Sequence, residues 1–344
     1  MATEVVKVVD PDNGSGTDYT SLAAWEAGMQ KNLVTADEIS IAKCRCTNGT
    51  ADTTRCIVDG WTTDATHYIK IWTDPSESYR HSGKWTTGNK YRFAYTATSD
   101  GGAIGGLELK NHHIRVDGLQ LSINANGYNE TQLLFSQCYA SQGIHRISNC
   151  IFRKVSMDDY LATIGVRFYG TDGTRYIWNC IGYDFGTGTW ARFIDFMTNA
   201  VVYAYNLTAQ NCRTGYMTAS NLVRIKNCIA QDCTDGFNGT FHSDSNYNLS
   251  DLSGDAPGAN SRNSTTVTFV DEASDDFHLA SNDAGARNYG TDLSADANLP
   301  FSDDIDGNTR PGESVWDIGA DEYVPAAGGL SIPVAMSNYR HLRS

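Results

Sequence analysis

The chain is poor in features typical of helical, membrane-spanning or nucleic-acid-binding proteins. Only 7 of its 344 residues are proline and 19% are charged, below the roughly one quarter usual for soluble domains. Its apolar runs fall well short of the ~20 residues needed to cross a bilayer. The net charge is −14, without a strongly basic stripe, so the sequence predicts neither membrane insertion nor binding to nucleic acid through phosphates.

The N-terminal segment 1–7 lacks a basic stretch followed by an apolar one, the pattern of a secretory signal peptide. We therefore expect a protein made and assembled in a cytoplasm, with a secreted protein as the alternative.

The nine cysteines do not follow a metal-binding pattern. Three of them each follow an asparagine and are expected to be small buried thiols: Cys150, Cys180 and Cys228. Three others form a C-x-C…C group without a histidine at usable spacing: Cys44, Cys46 and Cys56. The sequence thus predicts no metal and no cofactor.

The positive signal is a short apolar segment that recurs with asparagine at its end. Its asparagines, spaced 30, 27 and 21 residues apart, are Asn149, Asn179, Asn206 and Asn227. Asparagine tolerates a left-handed backbone at tight corners. Irregular repeats of this size, each with one strand signal, indicate a solenoid in which every turn of parallel strands lies on the previous one.

The repeat also predicts an interior stripe and a column of side chains. We align Asp117–Gly118 with Asn149–Cys150, and expect the stacked asparagines to hydrogen-bond along the coil. The predicted interior residues are Ile114, Val116, Leu119, Leu121, Ile147, Ile151, Ile177, Ile181, Val223, Ile225 and Ile229.

The predicted organisation has four parts. Residues 1–30 form a strand and a helix with Thr20 or Ser21 as N-cap, and this helix covers the first turn of the coil through Leu22 and Trp25. Residues 31–250 form the coil, 251–324 a closing β module, and 325–344 a linker and an assembly tail.

The closing module resembles that of right-handed parallel β-helix repeat proteins. The matching segments are D-F-H-L at 276–279, D-I-D-G-x-x-R-P at 304–311 and D-I-G-A-x-E-Y at 317–323, and segment 18–26 resembles their N-terminal cap. The segment usually found between the first two motifs is replaced here by residues 281–290. The resemblance implies an all-β, right-handed parallel β-helix with a short N-terminal capping helix and a C-terminal closing module.

Segment 328–336 resembles short tails on structural proteins of tailed bacteriophages. Its alternating apolar residues could add as a strand to a neighbour's sheet edge, and they are Leu330, Ile332, Val334 and Met336. This resemblance predicts a structural protein of a phage particle: a capsid decoration, head fibre, or tail fibre or spike component. The expected partners are other virion proteins and copies of itself in a homotrimer, with contact to host or environmental glycans.

The alternative is a polysaccharide lyase or glycoside hydrolase. A hydrolase needs two suitably spaced carboxylates and a lyase a base. The weak catalytic candidates, near Arg153, Arg167 and Arg192, are Asp158, Asp159, Asp184 and Asp195. Three aromatic residues could stack on sugars, contact another subunit or pack in the core: Tyr183, Trp190 and Phe193.

Overall fold

The structure is a computed structural model that describes residues 2–97, 104–125, 130–139, 143–155, 162–186 and 188–325. Two α-helices lie near the N-terminus: α1 (Leu22–Met29) and α2 (Leu33–Ala36). Neither is long and apolar enough to cross a membrane, and the same holds for every helix in the described ranges.

Parallel strands make up the rest of the coil. They are β1 (Thr3–Val9), β2 (Glu38–Cys44), β3 (Cys56–Val58), β4 (Ile69–Trp72), β5 (Arg92–Thr96), β6 (Ile104–Leu109), β7 (Ile114–Asp117), β8 (Gln120–Asn124), β9 (Glu130–Gln137), β10 (Ile144–Ser148), β11 (Ile151–Lys154), β12 (Ala162–Gly170), β13 (Thr174–Tyr183), β14 (Arg192–Thr198), β15 (Val201–Gln210), β16 (Thr214–Thr218), β17 (Val223–Lys226), β18 (Ile229–Gln231), β19 (Asp235–Gly239) and β20 (Leu249–Ser250). An antiparallel pair, β21 (Phe269–Asp271) and β22 (Asp276–Leu279), follows.

The coil has three sides, each a stack of parallel strands. The first stack contains β1, β2, β4, β7, β10, β17 and the N-terminal halves of β13 and β15. The second contains β5, β8, β11, β18, β20 and the C-terminal halves of β13 and β15. The third contains β3, β6, β9, β12, β14, β16 and β19. The chain is therefore a right-handed parallel β-helix, as the sequence predicts.

The first and second stacks meet at a corner built by the repeated asparagines. Asn149, Asn179, Asn206 and Asn227 have φ between 49° and 53°, the left-handed conformation that asparagine tolerates. Strand register places them one above another, since Ser148 pairs with Trp178 and Trp178 with Tyr205. This corner confirms the stacked repeat.

One rung earlier, the alignment from sequence is wrong by one residue. Asp117 pairs with Ser148, so Gly118, with φ of 72°, takes the corner position. Asp117 instead accepts a hydrogen bond from the Asn149 amide at 2.7 Å.

The expected asparagine column forms only in part. The Asn227 amide donates to Asn206 at 3.2 Å, but Asn179 donates to the carbonyl of Asp303 and Asn206 to that of Gly319. Most of these amides therefore attach the C-terminal segment to the coil.

The left-handed corner residue also changes which side chains face inward. Cys150, Cys180 and Cys228 lie in the interior cluster as free, buried thiols. The predicted interior positions Ile151, Ile181 and Ile229 are wrong, because these side chains lie outside the coil in a second buried cluster. The remaining predicted stripe residues are in the interior.

A second corner, between the second and third stacks, uses the same device. Asp184, Asn211 and Asp232 have φ of 62°, 51° and 52°. The Asn211 amide donates to Asp184 at 2.7 Å. The residues that follow these three, Phe185, Cys212 and Cys233, point into the interior.

Helix α1 covers the first turn of the coil, as predicted. Ser21 is its N-cap and accepts a hydrogen bond from the Ala24 amide. Leu22 and Trp25 are fully buried in the interior cluster, and the Trp25 ring stacks on Trp61 at 5.6 Å.

Residues 267–323, here called the flank segment, pack along the side of the coil. Its apolar residues join Ile151, Ile181 and Ile229 in one cluster and Tyr203 and Tyr205 in another. Arg310, from the D-I-D-G-x-x-R-P motif, is buried and pairs with buried Glu322 at 2.9 Å. The sequence predicted a module that closes the coil, and the observed contacts of the flank segment cover its outer wall.

Candidate functional site

The outer face of the third stack carries a groove that crosses several rungs. Because Glu108, Phe135, Arg167, Asp195 and Met217 are paired in register on successive strands, their side chains form one row along this face. Two adjoining cavities of about 440 Å³ and 740 Å³ share Glu130, Arg167 and Met197 in their walls. They form one continuous depression, here called the groove.

The floor of the groove is built from ion pairs. Asp195 is buried and accepts hydrogen bonds from Arg167 at 2.9 Å and from Arg192 at 2.8 Å. Arg167 also binds Glu130 on its other side. Two guanidinium groups and two carboxylates thus form a connected network in which the charges are compensated within the wall itself.

A second charged cluster lies toward the N-terminal end of the groove. Buried Glu108 pairs with Arg55 and, at 3.0 Å, with Lys110. The cations and carboxylates of the groove nearly balance, in contrast to the −14 of the whole chain.

Large apolar side chains border these ion pairs and face solvent. Tyr139 is 60% exposed, Trp190 55%, Met197 51% and Tyr169 37%. Tyr139 and Tyr169 contact each other edge to face at 6.3 Å, and Trp190 lies beside the Arg192 guanidinium. Exposed rings beside hydrogen-bonding groups can stack on a flat, partly polar ligand and orient it.

The four candidate aspartates occupy different places. Asp195 lies at the floor of the groove. Asp184 is at the second corner, and although the residue as a whole is exposed, partial burial of its carboxyl group raises its pKa above the ordinary value. Asp158 and Asp159 lie outside the described residues.

Of the three aromatic candidates, Trp190 presents its ring to the groove. Phe193 is fully buried in the coil interior. Tyr183 is buried beneath the flank segment, with its ring 4.9 Å from that of Phe277. The predicted assembly residues Leu330, Ile332, Val334 and Met336 lie outside the described residues.

The groove also contains residues that the sequence did not single out, including Glu130, Tyr139, Tyr169 and Met197. For two of them, the spacing along the sequence could have indicated that they lie in one row. Tyr169 and Met197 are 28 residues apart, as are Arg167 and Asp195, and both pairs are in register on β12 and β14. Charged or bulky residues that recur at the spacing of one turn of the coil therefore indicate a row of outward-facing side chains.

A separate charged cluster joins the flank segment to the loop after β4. His278 contacts Asp276 at 2.5 Å and Asp306 at 2.8 Å, and Lys84 contacts Asp276 at 3.3 Å. Despite the opposing effect of burial, the surrounding carboxylates raise the pKa of His278 to about 10. Each ring nitrogen of His278 thus faces a carboxylate oxygen that can accept a hydrogen bond from it.

No protein-family description and no curated protein sequence matches the chain. Among solved structures, a pectin methylesterase from Aspergillus niger matches with 11% identity and a TM-score of 0.35, covering 80% of this chain and 96% of that one.

Proposed function

We propose that the protein binds an extended glycan in the groove on the third stack. The observation that carries this proposal is the row of exposed rings beside compensated ion pairs, led by Trp190 and Tyr169 beside the Arg167–Asp195 pair. Sugar rings offer apolar faces for stacking and hydroxyl groups for hydrogen bonds with guanidinium and carboxylate groups.

The charge of the groove favours a neutral glycan. Its cations are held by Glu108, Glu130 and Asp195, so the cost of orienting them is already met within the protein. A neutral chain needs only the remaining donors and acceptors, and it leaves each buried ion with its partner.

The test is a panel of neutral and acidic polysaccharides assayed for binding to the wild type and to Trp190→Ala and Tyr169→Ala variants. Loss of one stacking ring should weaken binding about tenfold. Tyr289→Ala is the matched control, since Tyr289 is also an exposed ring but lies on the flank segment. Equal binding by all four proteins, or no binding to any glycan, would exclude the groove as the site.

A second candidate function is cleavage of the bound glycan by a hydrolase or lyase reaction. The observation that favours it is the position of Glu130 and Asp195 on either side of Arg167 in the cavity wall, because glycoside hydrolysis uses two carboxylates. Incubation with the panel, read by new reducing ends and by absorbance at 235 nm, tests it. Activity that Asp195→Asn abolishes would support cleavage, and an unchanged glycan would limit the protein to binding.

The role in a phage particle remains a proposal that rests on the C-terminal tail. Deleting residues 328–344 is expected to leave the coil folded and to reduce the oligomeric mass. Circular dichroism and light scattering measure the two quantities. If both are unchanged, the tail does not mediate assembly.

A further inference from the structure

Three cations lie one above another on the outer face of the first stack. Lys70 pairs in register with Arg115, and Arg115 with Arg146, on the adjacent strands β4, β7 and β10. Adjacent strands are about 4.8 Å apart, so three positive charges follow one another in a line. We call Lys70, Arg115 and Arg146 the cation column.

The cation column has no compensating carboxylate bound to it. None of its three side chains makes a hydrogen bond or an ion pair with another residue in the described part of the chain. The nearest negative charges to Lys70 are those of Asp117 and Glu4, and Asp117 is already bound by Arg80 at 2.8 Å.

Lysines in the neighbouring row of the same face do have bound carboxylates. In that row, two residues further along each strand, Lys43 forms an ion pair with Glu77 at 2.7 Å and Lys226 forms one with Asp296 at 3.1 Å. Like charges placed directly opposite each other on paired strands are destabilising. An acidic chain that pairs the lysines of the neighbouring row but leaves Lys70, Arg115 and Arg146 without a bound carboxylate has a surface suited to an anionic ligand.

Aromatic rings hold the three cations in place. The Lys70 ammonium lies 3.4 Å from the centre of the Trp72 ring, and the guanidinium groups of Arg115 and Arg146 lie 3.6 Å and 4.2 Å from Tyr68 and Tyr176. These contacts orient the cations without neutralising them. The row then continues as the stacked rings of Tyr176 and Tyr203, 5.5 Å apart.

From this geometry we infer that the cation column binds a linear acidic polysaccharide. Its carboxylates would face Lys70, Arg115 and Arg146. The rung spacing of ~4.8 Å is close to the length of one sugar residue in an extended chain. Three cations in an acidic chain are too few for the extended basic surface of a nucleic-acid-binding protein.

The experiment compares binding of unesterified polygalacturonate with that of its fully methyl-esterified form, using the full chain. The test variant is Lys70→Gln/Arg115→Gln/Arg146→Gln. The matched control is Lys31→Gln/Lys90→Gln/Arg213→Gln, which removes the same charge elsewhere. Because the test variant relieves like-charge repulsion, its unfolding temperature should be no lower than that of the control, which keeps a binding loss interpretable.

The expected result is salt-dependent binding of the unesterified polymer, weakened at least tenfold in the test variant and unchanged in the control. The slope of log K against log salt should become shallower by about 2. Equal loss in both triple variants, or equal binding of the esterified polymer, would overturn the inference. Tighter binding of oligothymidylate, lost in the test variant, would also overturn it and would assign the column to nucleic acid.

The test of the cation column does not depend on glycan binding in the groove. Trp190→Ala should leave polygalacturonate binding unchanged, since Trp190 lies in the turn before β14, beside the third stack, and the column lies on the first. A failure of the glycan panel at the groove therefore leaves the test of the cation column intact.

Discussion

The coil and the flank segment of one chain are stabilised by different chemistry. In the coil, apolar side chains and free thiols fill the interior, and left-handed residues repeat at two corners. The flank segment has little regular structure and contains buried ions, including the fully buried Arg310–Glu322 pair. In the coil, the register of the paired strands determines which side chains meet. In the flank segment, which has few strands, individual polar contacts hold the chain in place instead.

Three histidines show the same contrast. His81, in the loop after β4, and His145, on β10 of the coil, are both buried, and burial lowers their pKa to about 4 and about 3, so both are neutral. His278, in the flank segment, is charged because carboxylates surround it and raise its pKa to about 10. The two regions should therefore respond to pH in opposite directions.

The largest expected effect comes from the buried ion pair. Arg310→Met leaves the Glu322 charge buried and unpaired, and should destabilise the protein by about 3–5 kcal/mol. The measurement is denaturant unfolding. The double variant Arg310→Met/Glu322→Leu removes both charges and should be more stable than the single variant by at least ~1 kcal/mol. If the double variant is less stable than the single one, the pair is not what fixes the flank segment.

The corner that joins the two regions should give the next largest effect. Asn206, with φ of 49°, donates to Gly319 of the flank segment and accepts from Asn227. Asn206→Ala loses both hydrogen bonds and strains the backbone, for an expected loss of about 2–3 kcal/mol in thermal or denaturant unfolding. Asn206→Gly loses only the hydrogen bonds and should be more stable than the alanine variant. Equal stability of the two would show that the left-handed conformation costs nothing there.

His278 should make the flank segment sensitive to alkali. Its folded-state pKa lies above the ordinary 6.5, so its contribution is complete below about pH 6.5 and is lost as the pH rises through about 10. We expect a loss of about 2–3 kcal/mol between pH 8 and 11, absent in His278→Gln. His242→Gln, a surface change beside Asp244, is the control. An alkaline loss of the same size in all three proteins would contradict the assignment.

His145 should make the coil sensitive to acid. Its folded-state pKa lies below 6.5, so the unfolded chain takes up a proton first, and stability falls as the pH drops from about 6.5 toward 4. The slope of stability against pH should differ between the wild type and His145→Gln by about 1.4 kcal/mol per pH unit at most. Thermal unfolding at several pH values measures it, and parallel curves would rule out a neutral buried His145.

The sequence predicts the coil well because the corner residues are of one kind. Asn149, Asn179, Asn206 and Asn227 share a backbone conformation that few residue types tolerate. The second corner was missed although Asp184, Asn211 and Asp232 repeat the spacings 27 and 21, because the residue type alternates. The inward position of Cys150 and the outward position of Ile151 follow from the left-handed Asn149 that precedes them, which a simple alternation ignores.

The groove was less predictable than the corner. Asp195, Arg167, Arg192 and Trp190 could be named from the middle of the coil, but their pairing depends on rung length. Glu130 and Arg167 are 37 residues apart and Arg167 and Asp195 only 28. Loops of variable length determine which residues meet, and a single sequence does not reveal where those loops end.

The most direct test of the proposed function is acrylamide quenching of tryptophan fluorescence with and without bound glycan. Trp25, Trp61, Trp85 and Trp316 are buried, whereas Trp190 is 55% exposed at the groove. A glycan in the groove should protect a quenchable component that is absent in Trp190→Phe. A glycan that binds without changing the quenching of the wild type would contradict the assignment of the groove as the binding site.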